Sequence, residues 1–309
     1  MTNNKIIAIT GGSGFIGKLL LENQLAQKHE VRILSRNKKL DSDGIKHFQG
    51  DLTLSSDEKV LTEFTRGVDI LYHCAGELYD KSQMEALHVS GTKRLIDSSK
   101  GQIKRWVQLS SVGAYGPCRT GIIENLSTEN PKGIYEITKS KSDQLVKKSG
   151  LDFVILRPSI VFGSSMPNRS LLELTEIIRR KLFFFIGHHA VVNYIHVIDV
   201  VKAMQLCGER PEALYKTFIL SDTITLEQMV KALSDGMGVE SPNLRFPELL
   251  IRILVKIFGR FKVFPLTKSR LDALTNHCRY DSSAIKMELG FSFNLRLNEA
   301  LKLYAKSIS

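Results

Sequence analysis

This chain is short of the features that mark membrane-spanning, secreted and metal-binding proteins. None of its apolar runs approaches the ~18 residues that a spanning helix needs. The opening Met1-Thr2-Asn3-Asn4-Lys5 leads straight into an apolar stretch, with no apolar leader and no small-residue cleavage site. Secretion is not expected. There are four cysteines, Cys74, Cys118, Cys207 and Cys278, and none lies in CxxC spacing. That scatter speaks against a zinc site or a disulfide framework, and reads as reduced thiols in a cytoplasmic protein. Low-complexity tracts and internal repeats are also missing. Acid is in short supply: 32 Asp and Glu stand against 43 Lys and Arg, a net charge of +11. Such a balance suits nucleic acid, an anionic membrane surface or phosphorylated ligands. With no zinc-ligand spacing and no RNP-type aromatic motif, a nucleic-acid partner is not expected.

What is present is an ordinary globular composition, 43% hydrophobic and 24% charged over 309 residues. That is enough for one large domain, or one domain with a smaller lobe. Short apolar runs alternate with helical patterns through the first half. Ile6–Thr10, Val31–Ser35, Val68–His73, Arg105–Ser110 and Phe153–Arg157 read as strands. Phe15–Ala26, Met84–Ser99 and Ile134–Lys148 read as helices. This alternation predicts an α/β fold with a doubly wound parallel sheet and right-handed crossovers. After Pro158 the pattern changes. Ser170–Lys181 reads as a helix, Ile195–Cys207 as a strand end and a helix, and Thr217–Leu220 as a last strand returning to the sheet. Thr225 and Gln228 are spaced for a capping box. The remainder is mostly helical, a lobe over the edge where open α/β sheets bind ligands.

Between the first strand and the first helix stands Thr10-Gly11-Gly12-Ser13-Gly14-Phe15-Ile16-Gly17. Gly11 permits a tight turn, Gly14 a close approach of backbone to a pyrophosphate, and Gly17 close packing of helix on strand. The helix N-terminus, opened by Phe15 and Ile16, adds a partial positive charge there. The predicted division is a dinucleotide-binding domain over 1–165 with 195–221 returning to it. Residues 166–194 and 222–309 form the substrate lobe. The end of the second strand chooses the cofactor. It reads Ser35-Arg36-Asn37-Lys38, with no acid to hold a ribose and with Arg36 placed for a 2′-phosphate. NADP(H) is favoured, and NAD(H) stays open. Asp51, in Gly50-Asp51-Leu52, follows the third strand and could accept from the adenine amino group, or serve only its own turn. Ala75 and Gly76, after the fourth strand, are small enough for close cofactor approach.

Tyr135 and Lys139 are one helical turn apart on one face. A free phenol has a pKa of about 10 and is a poor base at neutral pH. A neighbouring ammonium is expected to lower that value, so the tyrosine could take or give the proton of a carbonyl oxygen. Ser111, at the end of the fifth strand, would hydrogen-bond the same oxygen.

Taken with Leu156-Arg157-Pro158 and Tyr194-Ile195-His196-Val197-Ile198-Asp199, these stretches make the chain resemble the extended short-chain dehydrogenase/reductases, in particular the NAD-dependent epimerase/dehydratase group. The resemblance spans essentially the whole chain. It implies a Rossmann-type sheet and a triad of Ser111, Tyr135 and Lys139. It also implies that Lys139 and Pro158 lie at the nicotinamide end and that Val112, Gly113 and Tyr115 lie near the substrate. Relatives often dimerise through helices that would be Met84–Ser99 and Ile134–Lys148. Two departures stand out. Nucleotide-sugar relatives carry an arginine just before the Tyr-Ile-His-Val run, and here Val191-Val192-Asn193 precedes Tyr194. Arg270, Arg169, Arg179 or Arg180 are candidate substitutes. The family's Asn-Val-x-Gly-Thr is His88-Val89-Ser90-Gly91-Thr92 here, so the asparagine of its proton relay is replaced. His196 and Asp199 read as a structural hydrogen-bonded pair near a helix start.

The resemblance implies hydride exchange at a sugar carbon, C4 foremost, of a nucleotide-activated sugar in surface-polysaccharide synthesis. The alternatives are an epimerase of polyprenyl-diphosphate-linked sugars at the membrane surface, an NADPH-dependent ketone reductase of hydroxysteroid or dihydroflavonol type, and a non-catalytic cofactor-binding scaffold. One further stretch bears on the choice. Pro247–Phe264 carries Leu249, Leu250, Ile253, Leu254, Ile257, Phe258 and Phe261 beside Arg252, Lys256, Arg260 and Lys262. It reads either as a helix packed on the lobe or as one lying on the cytoplasmic face of an anionic membrane.

Overall fold

The computed structural model describes residues 4–37, 40–258 and 266–308. Lys38 and, from the basic stretch, Arg260, Phe261, Lys262 and Phe264 lie outside them. Seven parallel strands form the central sheet. They are β1 (Ile6–Thr10), β2 (Glu30–Ser35), β3 (Ile45–Gln49), β4 (Val68–His73), β5 (Ile103–Leu109), β6 (Phe153–Pro158) and β7 (Lys216–Leu220). Their spatial order is β7-β6-β5-β4-β1-β2-β3. The chain starts in the middle, builds outward to β3, then returns beside β1. Strand order therefore reverses between β1 and β4, and a crevice opens beyond their C-terminal ends. Thr10 is level with Leu34 on one side and His73 on the other.

Helices cover both faces, so the strands are apolar almost throughout. Successive residues face opposite layers. Ile7 and Ile9 join one core with Leu20 of the first helix and Val200, Met204 and Cys207 of helix Val197–Glu209. Ala8 joins the other with Leu61, Phe64, Leu95 and Val146. A further core gathers Phe162, Leu171, Ile178, Phe183, Phe185, Leu233 and Leu301. There, helices Leu226–Met237 and Leu297–Ser307 pack together. The capping box at Thr225 forms as spaced, with Gln228 N–H donating to Thr225 Oγ1 at 3.1 Å and Thr225 N–H to Gln228 Oε1 at 2.9 Å. Ile285, Leu289 and Phe291, near the end of the chain, pack on the first core.

The stretch expected as one helix over 84–99 is three. An α-turn at Lys81–Glu85 gives way to a π-helix at Ala86–Gly91, and α geometry resumes at Thr92–Ser99. Apolar spacing alone does not distinguish the wider turn, which occurs frequently at functional sites. Among the described residues, no helix is long and apolar enough to cross a membrane.

Candidate active site

A cleft of about 800 Å³ opens at the C-terminal edge of the sheet. The glycine loop and the start of the first helix form one wall. Cys74, Ala75 and Gly76 form its floor beyond β4, and Ser111, Tyr135, Lys139 and Pro158 its far side. Residues a hundred and more positions apart thus meet because β1, β4, β5 and β6 end together.

Gly11 and Gly17 are required by their surroundings. Gly11 has φ of +69°, and a Cβ there would sit 2.8 Å from the backbone of Cys74 and Ala75. A Cβ on Gly17 would lie 2.2 Å from the Gly11 carbonyl oxygen. Gly14 is the N-cap of helix Phe15–Ala26 and makes no side-chain cap hydrogen bond. The first-turn amides of that helix lack the usual capping oxygen and are suited to an anion. A Cβ on Gly14 would meet only the Gly11 carbonyl, at 3.2 Å. The wall thus offers open backbone amides and little side-chain bulk.

Ser111 caps the short turn Val112–Tyr115, and its Oγ accepts from Gly113 N–H at 3.1 Å. Tyr135 and Lys139 lie on helix Ile134–Lys147. The Lys139 ammonium is buried and donates to the Leu109 carbonyl at 2.7 Å. Burial lowers its pKa, and Asp143, one turn further on, works in the opposite direction. The expected lowering of the Tyr135 pKa is not found. Burial, reinforced by Glu136 and Asp143, pushes the phenol up to about 12. Desolvation of the phenolate dominates, and the Lys139 hydrogen bond goes to the backbone rather than to the phenol.

Two polar assemblies hold this helix, and the sequence reading missed both. Asp143 is fully buried; its Oδ2 accepts from Ser110 Oγ at 2.7 Å and from Arg157 Nη2 at 2.9 Å. Arg157 also donates to Glu129 at 2.7 Å and lies over the Tyr115 ring at 5.0 Å. Burial disfavours the guanidinium charge, but Asp143, Tyr115 and Glu129 together raise its pKa. The signal for Asp143 was its spacing: Tyr135, Lys139 and Asp143 recur every fourth residue. The second assembly centres on His88, on the π-helix. Glu77 N–H donates to its Nε2 at 2.8 Å, so its proton sits on Nδ1, 2.8 Å from Thr138 Oγ1. Thr138 Oγ1 donates in turn to the Tyr135 carbonyl at 3.0 Å. The His88 ring meets the Tyr135 ring edge-on at 5.6 Å. Burial and the Lys139 charge lower the His88 pKa to about 4, keeping it neutral.

The family model described as "NAD dependent epimerase/dehydratase family" matches residues 7–219, more than two thirds of the chain. The chain belongs to this family. It is an enzyme of the extended short-chain dehydrogenase/reductase class. Among family relatives it is 24% identical to a UDP-glucose 4-epimerase of Vibrio cholerae, covering 98% of this chain and 95% of that one. It is 26% identical to the 3beta-hydroxysteroid-dehydrogenase/decarboxylase isoform 1 of Arabidopsis thaliana, covering 97% and 79%. The solved UDP-glucuronic acid 4-epimerase of Bacillus cereus, a complex with NAD, superposes with a TM-score of 0.75 at 15% identity, covering 98% and 96%.

The other residues singled out in the sequence are not among those lining this cleft. Arg36 is exposed just beyond β2. Asp51 Oδ1 caps its own turn, accepting from Thr53 N–H and Oγ1, both at 2.8 Å. Leu52 is buried, and its carbonyl accepts from Arg94. Val112 and Tyr115 are buried against Ile219, and Gly113 lies against Glu136. Arg270 is exposed and pairs with Glu173 at 3.1 Å, while Arg179 and Arg180 pair with Glu176. Asp199 accepts from Asn294 N–H at 2.7 Å, and His196 packs edge-on against Phe162. The expected His196–Asp199 pairing is thus replaced by separate contacts.

Proposed function

We propose that this enzyme moves a hydride to or from a sugar carbon, C4 foremost, of a nucleotide-activated sugar. The observation that carries the reading is the meeting of Ser111, Tyr135, Lys139 and Pro158 with the glycine loop in one cleft. A nicotinamide bound there supplies or accepts the hydride. Tyr135, whose phenol holds its proton at neutral pH, gives that proton to the carbonyl oxygen in reduction. Ser111 fixes the same oxygen by a hydrogen bond. Lys139 supplies positive charge beside the developing oxyanion, and Asp143 helps keep it charged.

We infer a preference for NADP(H) over NAD(H). The support is Arg36 beyond β2, where no acid stands to meet the ribose. A lipid-linked form of the sugar is a second reading, favoured by the exposed apolar face of helix Glu248–Phe258. Purified enzyme with NADPH and a UDP-4-keto sugar tests the main reading. Cofactor consumption with the keto sugar supports it. Turnover of a steroid or flavonoid ketone with none of the sugar would overturn it. Interconversion of UDP-GlcNAc and its C4 epimer without net consumption would assign an epimerase, and net consumption a reductase.

A further inference from the structure

Helix Glu248–Phe258 has two apolar sides but only one covered. Ile251 and Val255 are buried against Ile186 and Leu271, with Phe184, Phe246 and Leu254 around them. That cluster anchors the helix. Leu249, Leu250, Ile253 and Ile257 face the other way and are 73%, 47%, 49% and 56% exposed. At 3.6 residues per turn these four fall within about 100° of one another, a continuous outward stripe. Single exposed leucines need no explanation, but four on one face of an eleven-residue helix do. Along the edge of the stripe runs Lys256, exposed, and beyond it Arg252. Arg252 is tied inward to Glu248 at 2.6 Å and Asp272 at 3.1 Å. The sequence from Arg245 to Arg270 carries seven cations and one anion, and the whole chain is at +11.

We propose that this face docks on an anionic lipid bilayer, with the four aliphatic side chains among the acyl chains and the cations at the headgroups. The charge selects this occupant. A second copy on the same face would bring two chains of net charge +11 together with a Lys256 from each at the contact, at an electrostatic cost. A bilayer rich in acidic headgroups meets both the apolar stripe and the exposed Lys256 at its edge, and suits the chain's net charge of +11. The start of the helix is also tied to the segment after the serine turn. Arg119, eight residues beyond Ser111, donates to Glu248 at 3.3 Å and to Asp272 at 3.2 Å. The proposal does not rest on the catalytic reading, because its test uses no turnover.

The test is co-sedimentation of the full chain with phosphatidylcholine vesicles, with and without about 30 mol% phosphatidylserine. The expected result is binding to the anionic vesicles that falls as salt rises, and little binding to the neutral ones. Leu249→Gln with Ile253→Gln should weaken binding to anionic vesicles at least about tenfold. Lys256→Glu should weaken it by about fivefold or more. All three side chains point to solvent or lie at the exposed rim, so unfolding temperatures should match the wild type. No vesicle binding by a folded wild-type protein would overturn the proposal. So would equal affinity for both vesicle types, or unchanged binding in the double variant. A mass that doubles with concentration and reverts in the double variant, without vesicle binding, would assign the face to self-association instead. Capture by an acidic protein with no lipid affinity would likewise contradict it.

Discussion

Replacing Asp143 by Asn tests how the catalytic helix is held. The side chain is isosteric and can still accept from Ser110, but it no longer carries the charge that faces Arg157. That arginine is 1% exposed, with Nε at 3.2 Å and Nη2 at 2.9 Å from Asp143 Oδ2. Removing one partner of a buried pair costs roughly 3–5 kcal/mol, because the other charge stays buried. Glu129 remains 2.7 Å from Arg157 Nη2 and retains part of the compensation. We therefore expect a loss at the lower end, about 3 kcal/mol. Urea unfolding at constant slope measures it directly. A second effect follows at Lys139. Burial lowers its pKa and Asp143 opposes this, so the variant should lower it further. The ammonium is then lost at lower pH, and the alkaline limb of the activity profile moves down. A stability loss below about 1 kcal/mol would mean that Glu129 alone satisfies Arg157. An unmoved alkaline limb would refute the electrostatic role assigned to Asp143.

Four further outcomes are expected. Tyr135→Phe should lower kcat by about 10²–10⁴ while cofactor binding, followed by nicotinamide fluorescence, stays unchanged. Gly17→Ala, whose methyl would meet the Gly11 carbonyl at 2.2 Å, should cost about 1–3 kcal/mol and abolish cofactor binding, whereas Gly14→Ala, with its contact at 3.2 Å, should be far milder in a thermal melt. Arg36→Ala should raise the Kd for NADPH about tenfold or more and leave that for NADH nearly unchanged. His88 is neutral in the folded state down to about pH 4 and titrates at 6.5 when unfolded, so the unfolded chain binds the extra proton between those values and stability falls as pH drops through that window. The contribution is up to about 3 kcal/mol and should be missing from the pH–stability curve of His88→Asn.

Much of the fold was legible because its signals are local. Six of the seven sheet strands are legible as such in the sequence, to within two residues at each end. β3 entered only as the strand before Asp51, and the last strand, Thr217–Leu220, was placed back on the sheet as Lys216–Leu220 is. The glycine loop was equally plain, since strand, glycines and helix are contiguous. What escaped the sequence depends on distance. The π-helix at Ala86–Gly91 keeps the apolar spacing of an α-helix, and only its wider i→i+5 backbone turn distinguishes it. His88 looked like the loss of a family asparagine, and the folded chain shows it fastened to both Glu77 and Thr138. Asp143 was visible at the right spacing but passed over, because its partner Arg157 comes from a strand. The upward shift of the Tyr135 phenol is likewise invisible in the sequence. Proximity of a lysine is a sequence fact, whereas desolvation is a property of the closed structure.

The most direct test of the central claim is hydride transfer itself. NADPH carrying deuterium at both C4 positions of the nicotinamide is mixed with enzyme and a UDP-4-keto sugar, and the product is analysed by mass spectrometry. The reading predicts one deuterium at the sugar C4 with wild-type enzyme and almost none in the same time with Tyr135→Phe. A product that carries no deuterium with wild-type enzyme, or equal labelling in the variant, would contradict it.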